Sequence, residues 1–243
     1  MKIARIETFL VAPRWLFCRV ETEDGLVGWG EPLLEGRAET VRTAVGELTE
    51  ILVGRDPRAI EDAWQIMTRG GFYRGGPILS SAVAGLDQAL WDIAGKAAGL
   101  PVYSLLGGPV RDRMRVYSWV GGDDPLGQED AVLGEEVEQR LAAGFTAIKT
   151  NGIGPVGSPA SRSQLRAAVD RIHKLREDFP SLDIGVDFHA RVAISDAVQL
   201  VSRLDDAELL FIEEPTRPED VSQIGRVVSA TTTPIALGER LYS

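Results

Sequence analysis

The chain has 243 residues but only one cysteine, Cys18, and two histidines. A single cysteine cannot form an internal disulfide, so folding does not depend on an oxidising compartment. Two histidines and one cysteine are also too few for a zinc cluster. No segment approaches the ~18 consecutive apolar residues that cross a bilayer, and residues 1–9 lack the apolar run of a secretion signal. We therefore expect no membrane partner and a cytoplasmic location.

Positive charge is also scarce. The 26 Lys and Arg residues are outnumbered by 36 Asp and Glu residues, which gives a net charge of −10 at pH 7. Nucleic-acid binding needs clustered Lys and Arg, so nucleic acid is not an expected partner. The same charge does not attract an anionic substrate, so any anion site must be made locally positive by a metal ion or a few placed cations.

Several common catalytic and nucleotide-binding motifs are missing. The segment Gly28-Trp29-Gly30 begins a G-x-G, but Leu33 stands where a dinucleotide loop has its third glycine. The sequence contains neither a G-x-x-x-x-G-K-[ST] phosphate loop nor a G-x-S-x-G nucleophile elbow. Dinucleotide, phosphate-loop and serine-hydrolase functions are therefore disfavoured.

The order of predicted elements changes near residue 113. Residues 1–113 predict a mixed α+β domain, with a hairpin around Glu23-Asp24-Gly25 and helices over 38–53 and 79–97. Residues 114–243 predict five strands that alternate with helices, and such alternation indicates parallel strands with helical crossovers. The sequence thus predicts an α/β fold in two domains, the second a series of β/α units.

Three carboxylates follow predicted strands of that series: Asp187, Glu213 and Glu239. The intervals from 187 to 213 and from 213 to 239 are both 26 residues, close to the ~30 residues of one β/α unit in a barrel. The carboxyl ends of parallel strands share one mouth, where three acids would repel unless a cation held them, and all-oxygen ligands suit Mg²⁺. The alternative is that these acids are ordinary helix caps or solubilising residues, but their equal spacing favours a metal site.

Three further side chains lie near the same predicted strand ends. His189 follows Asp187 by two residues, so strand alternation places it on the same side, where it could act as a general acid or base. The alternative is a hydrogen-bonded structural histidine. Lys149 ends another predicted strand and is the cation that an anion site would need, although a lysine at a strand end is usually just exposed. Asn151 lies two residues further on the same side. Alternation also selects Glu213 over Glu214 as the metal-facing acid.

Two stretches resemble the signature of the mandelate racemase-like group of the enolase superfamily: S-A-V-A-G-L-D-Q-A-L-W-D-I-A-G-K at 81–96 and P-V-Y-S-L-L-G-G at 101–108. The resemblance implies an α+β capping domain followed by a TIM-type (β/α) barrel, of which about five strands are present. Shorter stretches are similar to the sugar-acid dehydratases of this superfamily that act on D-galactonate, namely those at 13–15, 71–79, 117–123, 187–192 and 238–240.

The resemblance also implies roles for individual residues. Asp187, Glu213 and Glu239 match the Mg²⁺ ligands, His189 the acid that protonates the departing hydroxyl, and Lys149 the lysine near the substrate carboxylate. Asn151 stands where many relatives carry a second lysine that acts as base, which argues against a lysine-based racemase and leaves Asn151 as a substrate-binding candidate. The loops Pro13–Phe17 and Gly71–Pro77 match the loops that close over the substrate, and their candidate contact residues are Arg14, Trp15, Tyr73 and Arg74.

The chemistry implied is Mg²⁺-dependent dehydration of a sugar acid, D-galactonate above all, through an enediolate to 2-keto-3-deoxygalactonate. In these dehydratases the base is a histidine on the seventh strand paired with an aspartate on the sixth, and this sequence reaches Ser243 just after its fifth predicted strand. We therefore expect a fragment of a hydro-lyase that is inactive alone.

Alternatives are another acid-sugar dehydratase or a racemase of the same superfamily and, from a different class, a non-catalytic fragment that associates through an open barrel edge. The resemblance also implies a homo-oligomer for the full-length enzyme, but neither the oligomeric state nor the sugar epimer follows from the sequence.

Overall fold

The structure is a computed structural model that describes residues 1–122 and 130–242. Asp123, the last residue of the family-like stretch at 117–123, lies outside the described residues, as does Ser243. By their internal contacts the residues divide into two compact units, Met1–Asp112 and Arg113–Leu241. Within the described ranges, no helix combines the length and the apolar character needed to cross a bilayer.

The first unit contains an antiparallel sheet in the order β1-β2-β3 and a set of helices. The strands are β1 Ile3–Val11, β2 Trp15–Thr22 and β3 Val27–Gly30, and the helices are α1 Ala38–Leu52, α2 Ile60–Arg69, α3 Gly76–Ala98 and α4 Val102–Leu105. One face of the sheet is covered by the helices, since Leu16, Cys18 and Val20 join the buried residues of α1 and α3 in one hydrophobic cluster.

The glycines of the Gly28-Trp29-Gly30 segment serve packing. A Cβ atom at Gly28 would come within 2.1 Å of the Ala89 carbonyl oxygen, and one at Gly30 within 1.9 Å of the Gly85 carbonyl oxygen. Strand β3 therefore lies against helix α3 at a distance that only glycine permits. This close approach accounts for the G-x-G pattern without a nucleotide.

The second unit is built on a parallel sheet in the order β4-β5-β6-β7-β8. Its strands are β4 Ser118–Trp119, β5 Ala147–Asn151, β6 Asp183–Asp187, β7 Phe211–Glu213 and β8 Ile235–Ala236, and its helices are α5 Asp130–Ala142, α6 Arg162–Asp178, α7 Ile194–Arg203 and α8 Ile224–Val228. Short 3₁₀ helices occupy Asp205–Ala207 and Pro218–Gln223, and the second of them leads directly into α8. The predicted α/β class with five parallel strands of a partial barrel is confirmed.

Strand alternation separates apolar from polar residues in this sheet. Ile148, Val186 and Ile212 belong to the hydrophobic cluster that includes the buried faces of α6 and α7. The neighbouring positions face the other side, where the Phe211 ring lies over Gly185 so closely that a Cβ there would be 2.6 Å from the ring. The strand ends beyond this ring carry the charged residues.

Candidate functional site

Three charged side chains meet at the carboxyl ends of β5, β6 and β7. The Lys149 ammonium nitrogen donates to Asp187 Oδ2 at 2.9 Å and to Glu213 Oε2 at 2.6 Å. Their strands hold them together, because Asp187 pairs in register with Glu213 and closes β6 beside the end of β7. The exposed fractions of these side chains are 12% for Lys149, 2% for Asp187 and 18% for Glu213. The cluster is thus mostly removed from water.

The two carboxylates determine the protonation of the lysine. Burial by itself lowers the pKa of Lys149, but its hydrogen bonds to Glu213 and Asp187, together with their negative charges, outweigh burial and raise the pKa above its ordinary value. The lysine is therefore protonated at neutral pH. The cluster can bind cations through its carboxylates, and its ammonium group can bind an anion.

An aromatic ring borders this cluster. Trp119 ends β4 and pairs in register with Lys149, and the ammonium nitrogen lies over its ring at 5.5 Å from the centroid. The indole N–H donates to the Gly121 carbonyl oxygen at 2.9 Å, which fixes the ring. The sequence patterns did not predict a role for Trp119.

His189 lies beside Asp187, but in a different conformation from the one expected. The strand ends at Asp187, and His189 and Ala190 have positive φ angles of 53° and 50°, so strand alternation does not extend to them. A tight turn keeps His189 near Asp187: the His189 N–H donates to Asp187 Oδ1 at 2.6 Å, and His189 Nδ1 lies 3.5 Å from Asp187 Oδ2. Positive φ is uncommon outside glycine and often marks a functional site.

Arg240, which follows β8 in the chain, supports this turn. Its guanidinium donates to the His189 carbonyl oxygen at 3.2 Å. The same charge acts on Glu214, which is buried. Burial raises the pKa of Glu214, and this effect outweighs the opposing influence of Arg240 and of a hydrogen bond from the Gly238 backbone. Glu213 and Glu214 thus have separate surroundings, and Glu213 is the one that contacts Lys149.

Glu239 does not occupy a position equivalent to the other two acids. The residue opposite Glu213 in β8 is Ala236, and Glu239 lies three positions later in an exposed turn. The equal sequence spacing therefore did not give equal positions, because β8 ends at Ala236. Across residues 1–122 and 130–242, no three His, Cys, Asp or Glu side chains are grouped so as to hold a metal by themselves. The role of Glu239 as a ligand stays a prediction.

Asn151 closes β5 next to Asp187, its partner in register. The side chain is fully buried, and its amide nitrogen donates to the Gly122 carbonyl oxygen at 3.0 Å. Among the described residues its amide oxygen has no hydrogen-bond partner, which is costly for a buried acceptor. Its contact with substrate stays a prediction.

The loop expected at Pro13–Phe17 is shorter than predicted. Strand β2 begins at Trp15, which pairs with Val11 of β1, so the connection is a tight turn and the prediction of a loop over the whole segment is wrong. Arg14 in that turn forms an ion pair with Glu35, and its guanidinium lies 5.6 Å from the centre of the Trp15 ring.

The second predicted substrate loop contains Tyr73 and Arg74. Tyr73 is 87% exposed, and the Arg74 guanidinium donates to the Gly71 carbonyl oxygen at 2.8 Å. The loop ends earlier than expected, because α3 begins at Gly76. Tyr73 and Arg74, like Arg14 and Trp15, belong to the first unit, and their part in substrate binding stays a prediction.

Family comparisons assign both units to one enzyme group. Residues 7–107 match the model of the mandelate racemase / muconate lactonizing enzyme N-terminal domain, and residues 132–243 match the enolase C-terminal domain-like model. The chain belongs to the enolase superfamily, in its mandelate racemase and muconate lactonizing enzyme group.

Two individual relatives match this chain over its whole length. A protein of Ralstonia nicotianae named D-galactonate dehydratase is 51% identical over all of this chain and 63% of its own length. One of the same name from Pectobacterium atrosepticum is 48% identical over the same shares. The chain thus spans about 63% of the length of these relatives.

Solved structures agree in fold. A crystal structure of an enolase from Pantoea ananatis with bound D-gluconate and Mg is 28% identical, with a TM-score of 0.86 over 98% of this chain and 65% of that one. An enolase superfamily member from Salmonella Typhimurium is also 28% identical, with a TM-score of 0.89 over 98% of this chain and 68% of that one.

Proposed function

We propose that this chain is part of a magnesium-dependent hydro-lyase that dehydrates a sugar acid, D-galactonate, to 2-keto-3-deoxygalactonate through an enediolate. The observation that carries the proposal is the cluster of Lys149, Asp187 and Glu213, with His189 beside it, at the carboxyl ends of parallel strands. This is the end of a β/α barrel where enzymes of that architecture place their catalytic groups.

The donor set fits a magnesium ion. Asp187 Oδ2 and Glu213 Oε2 both contact one cation, the Lys149 ammonium, so their oxygens already converge. Carboxylate oxygens are the ligands that Mg²⁺ prefers. We assign Asp187 and Glu213 to the metal, with Glu239 as the proposed third ligand. When bound, the metal would supply Lewis-acid stabilisation to the carboxylate end of the substrate, in keeping with the Mg and D-gluconate of the Pantoea enzyme.

Two side chains have proposed roles toward the substrate. The Lys149 ammonium is the positive charge that this acidic chain offers to the carboxylate of a sugar acid. His189 has its Nδ1 turned toward Asp187, which leaves Nε2 to donate a proton to the departing β-hydroxyl. Proton removal from the α-carbon is not assigned to any residue of this chain.

The choice of D-galactonate depends on the relatives. Those that match the whole chain at 48% to 51% identity carry the name D-galactonate dehydratase. The D-gluconate of the Pantoea structure differs from D-galactonate in configuration at C4 alone. Comparison of these two acids is therefore a sensitive test of substrate.

The test is turnover by the complete gene product with Mg²⁺ and either acid, followed by detection of the 2-keto acid. We expect turnover of D-galactonate and its loss in Glu213→Gln. Glu177→Gln, the same change at an exposed position on α6, is the matched control and should remain active. Undiminished activity of Glu213→Gln would contradict the assignment of this acid.

His189 can be tested separately from the metal ligands. His189→Asn should block hydroxyl loss while the α-proton still exchanges with solvent, because the acid protonates the hydroxyl on the β-carbon whereas the base removes the proton from the α-carbon. Deuterium incorporation into recovered substrate measures this exchange. Loss of exchange together with dehydration would place His189 at the earlier step.

A further inference from the structure

Lys149 contacts the oxygens that a metal ion would need. The two oxygens of Asp187 are used differently: Oδ1 accepts the His189 backbone N–H at 2.6 Å, and Oδ2 accepts the Lys149 ammonium at 2.9 Å. A cation that binds Asp187 therefore has Oδ2 as its natural ligand. One oxygen of Glu213, Oε2, also accepts the Lys149 ammonium, at 2.6 Å.

Two cations that share these oxygens repel each other. Like charges repel, and their repulsion is stronger where water is mostly excluded, as it is around side chains that are 12%, 2% and 18% exposed. A magnesium ion that takes Asp187 and Glu213 therefore competes with the ammonium of Lys149 for them. The lysine side chain can follow, since it is a flexible four-carbon stem.

The structure provides a second partner for the displaced ammonium. The Trp119 ring centroid is already 5.5 Å from it, within the ~6 Å range of a cation–π contact. The ring is fixed by its N–H bond to the Gly121 carbonyl oxygen and by the pairing of Trp119 with Lys149 on adjacent strands. The contact with Trp119 does not involve the carboxylates, so the ammonium can approach the ring more closely once a metal takes them, and the contact then strengthens metal binding.

We propose that Lys149 is an internal competitor of the metal ion for Asp187 and Glu213, and that Trp119 is a positioning residue that holds the displaced ammonium beside the site. This inference deepens the proposed function and rests on its magnesium site. Its consequence is an order of binding: the metal releases the ammonium from the carboxylates, and the released charge then receives the carboxylate of the substrate.

Calorimetric titration with Mg²⁺ tests the competition without any need for turnover. Lys149→Met should bind Mg²⁺ about tenfold more tightly than the unchanged protein, because the ion no longer has to break two charge-assisted hydrogen bonds. Lys96→Met removes the same charge at an exposed pair with Asp92 in the first unit and should change the affinity less than about twofold. Equal affinities of the two variants would overturn the proposal.

Trp119 is tested in a double-mutant cycle. Trp119→Leu should weaken Mg²⁺ binding about two- to fivefold, the size of one cation–π contact, and Trp119→Phe should restore most of the loss because it keeps a ring. In the Lys149→Met background, Trp119→Leu should have no effect, since no ammonium remains to be held. An equal effect in both backgrounds would show a merely structural role and overturn the proposal.

The outcomes also separate this inference from the proposed function. Mg²⁺ binding that is indifferent to both Lys149→Met and Trp119→Leu would overturn the competition while leaving the magnesium site intact. No heat of Mg²⁺ binding in any variant would overturn both.

Discussion

The two units of the chain place their polar side chains in opposite ways. Among the residues that the structure describes, Thr22 is the buried polar or charged side chain of the first unit, whereas the second unit buries Thr150, Asn151, Arg171, Asp187, Asp196, Glu214, Thr216 and Thr233. Burial of polar groups costs free energy unless they are satisfied. That cost is therefore concentrated in the second unit, which contains the Lys149, Asp187 and Glu213 cluster.

The first unit keeps its charges on the surface. Arg5 and Arg19 on the open face of the antiparallel sheet each pair with Glu21 and Glu7. These side chains are 20% to 56% exposed, and such pairs contribute little to stability. Stability of this unit must come from packing, with the contact between β3 and α3 as its tightest point. The comparison therefore predicts that changes in packing lower the stability of the first unit, whereas changes in charge lower the stability of the second.

The largest expected effect is on packing. Gly30→Ala would place a Cβ atom 1.9 Å from the Gly85 carbonyl oxygen, and backbone cannot move aside as the end of a side chain can. We expect a loss of at least ~3 kcal/mol in the free energy of unfolding, at the upper end for overpacking. Urea denaturation followed by circular dichroism measures this loss.

A matched glycine serves as its control. Gly46 lies in α1, and a Cβ there would meet nothing within 4 Å. Gly46→Ala should therefore stabilise the protein by ~0.5–1 kcal/mol, as expected for alanine in a helix. If both substitutions were harmless, the close approach of β3 to α3 would not be the constraint that we describe.

A charge change in the second unit should have the next largest effect. Asp187→Asn removes a carboxylate that is 2% exposed and bonded to Lys149. We expect a loss of about 2 kcal/mol, less than for a fully broken buried pair, because Glu213 still holds the lysine. Chemical denaturation without added metal provides the measurement.

The other end of the same strand provides the comparison. Asp183 begins β6 and pairs with Arg115, but its side chain is 46% exposed. Asp183→Asn should cost less than about 1 kcal/mol. Equal losses at the two ends of β6 would remove the distinction between structural surface charges and the buried cluster.

Sequence patterns predicted most of the fold for identifiable reasons. Helix α6 runs over Arg162–Asp178, where apolar residues recur at helical spacing and Ser161 with Gln164 forms a capping box at the start. Alternation of strands and helices predicted the parallel sheet of the second unit.

The predictable part of the site is the part that strand geometry controls. Parallel register brings Asp187 beside Glu213, as their spacing predicted. The conformation of His189 depends on a left-handed turn, and the position of Glu239 on where β8 ends. Neither is encoded in a periodic pattern, because both are set by tertiary hydrogen bonds. Trp119 was missed for a similar reason, since an aromatic residue at a strand end has no signature of its own.

The smallest expected effect concerns Asp205, a half-buried acid of the second unit. It tests whether charge matters in this unit outside the cluster. Its Oδ1 accepts hydrogen bonds from the Thr231 hydroxyl at 2.6 Å and from the Thr232 and Thr233 backbone N–H groups at 2.8 and 3.3 Å. These bonds, that of Thr231 first, lower the pKa of Asp205 below its ordinary value of 3.8. A lowered pKa in the folded state means that stabilisation is present above pH ~4 and is lost as the pH falls through the folded value.

Asp205→Asn should therefore lower the melting temperature by ~1–3 °C at pH 7, and the difference from the unchanged protein should shrink steadily as the pH is lowered from 5 toward 2. Asp206→Asn is the control, because the Asp206 carboxylate is 82% exposed and contacts His173 instead. This variant should have the smaller effect on the melting temperature at pH 7. Thermal unfolding across this pH range measures both variants. A difference that stayed constant down to pH 2 would show that Asp205 acts through its shape and not through its charge, and would confine the importance of charge in this unit to the buried cluster.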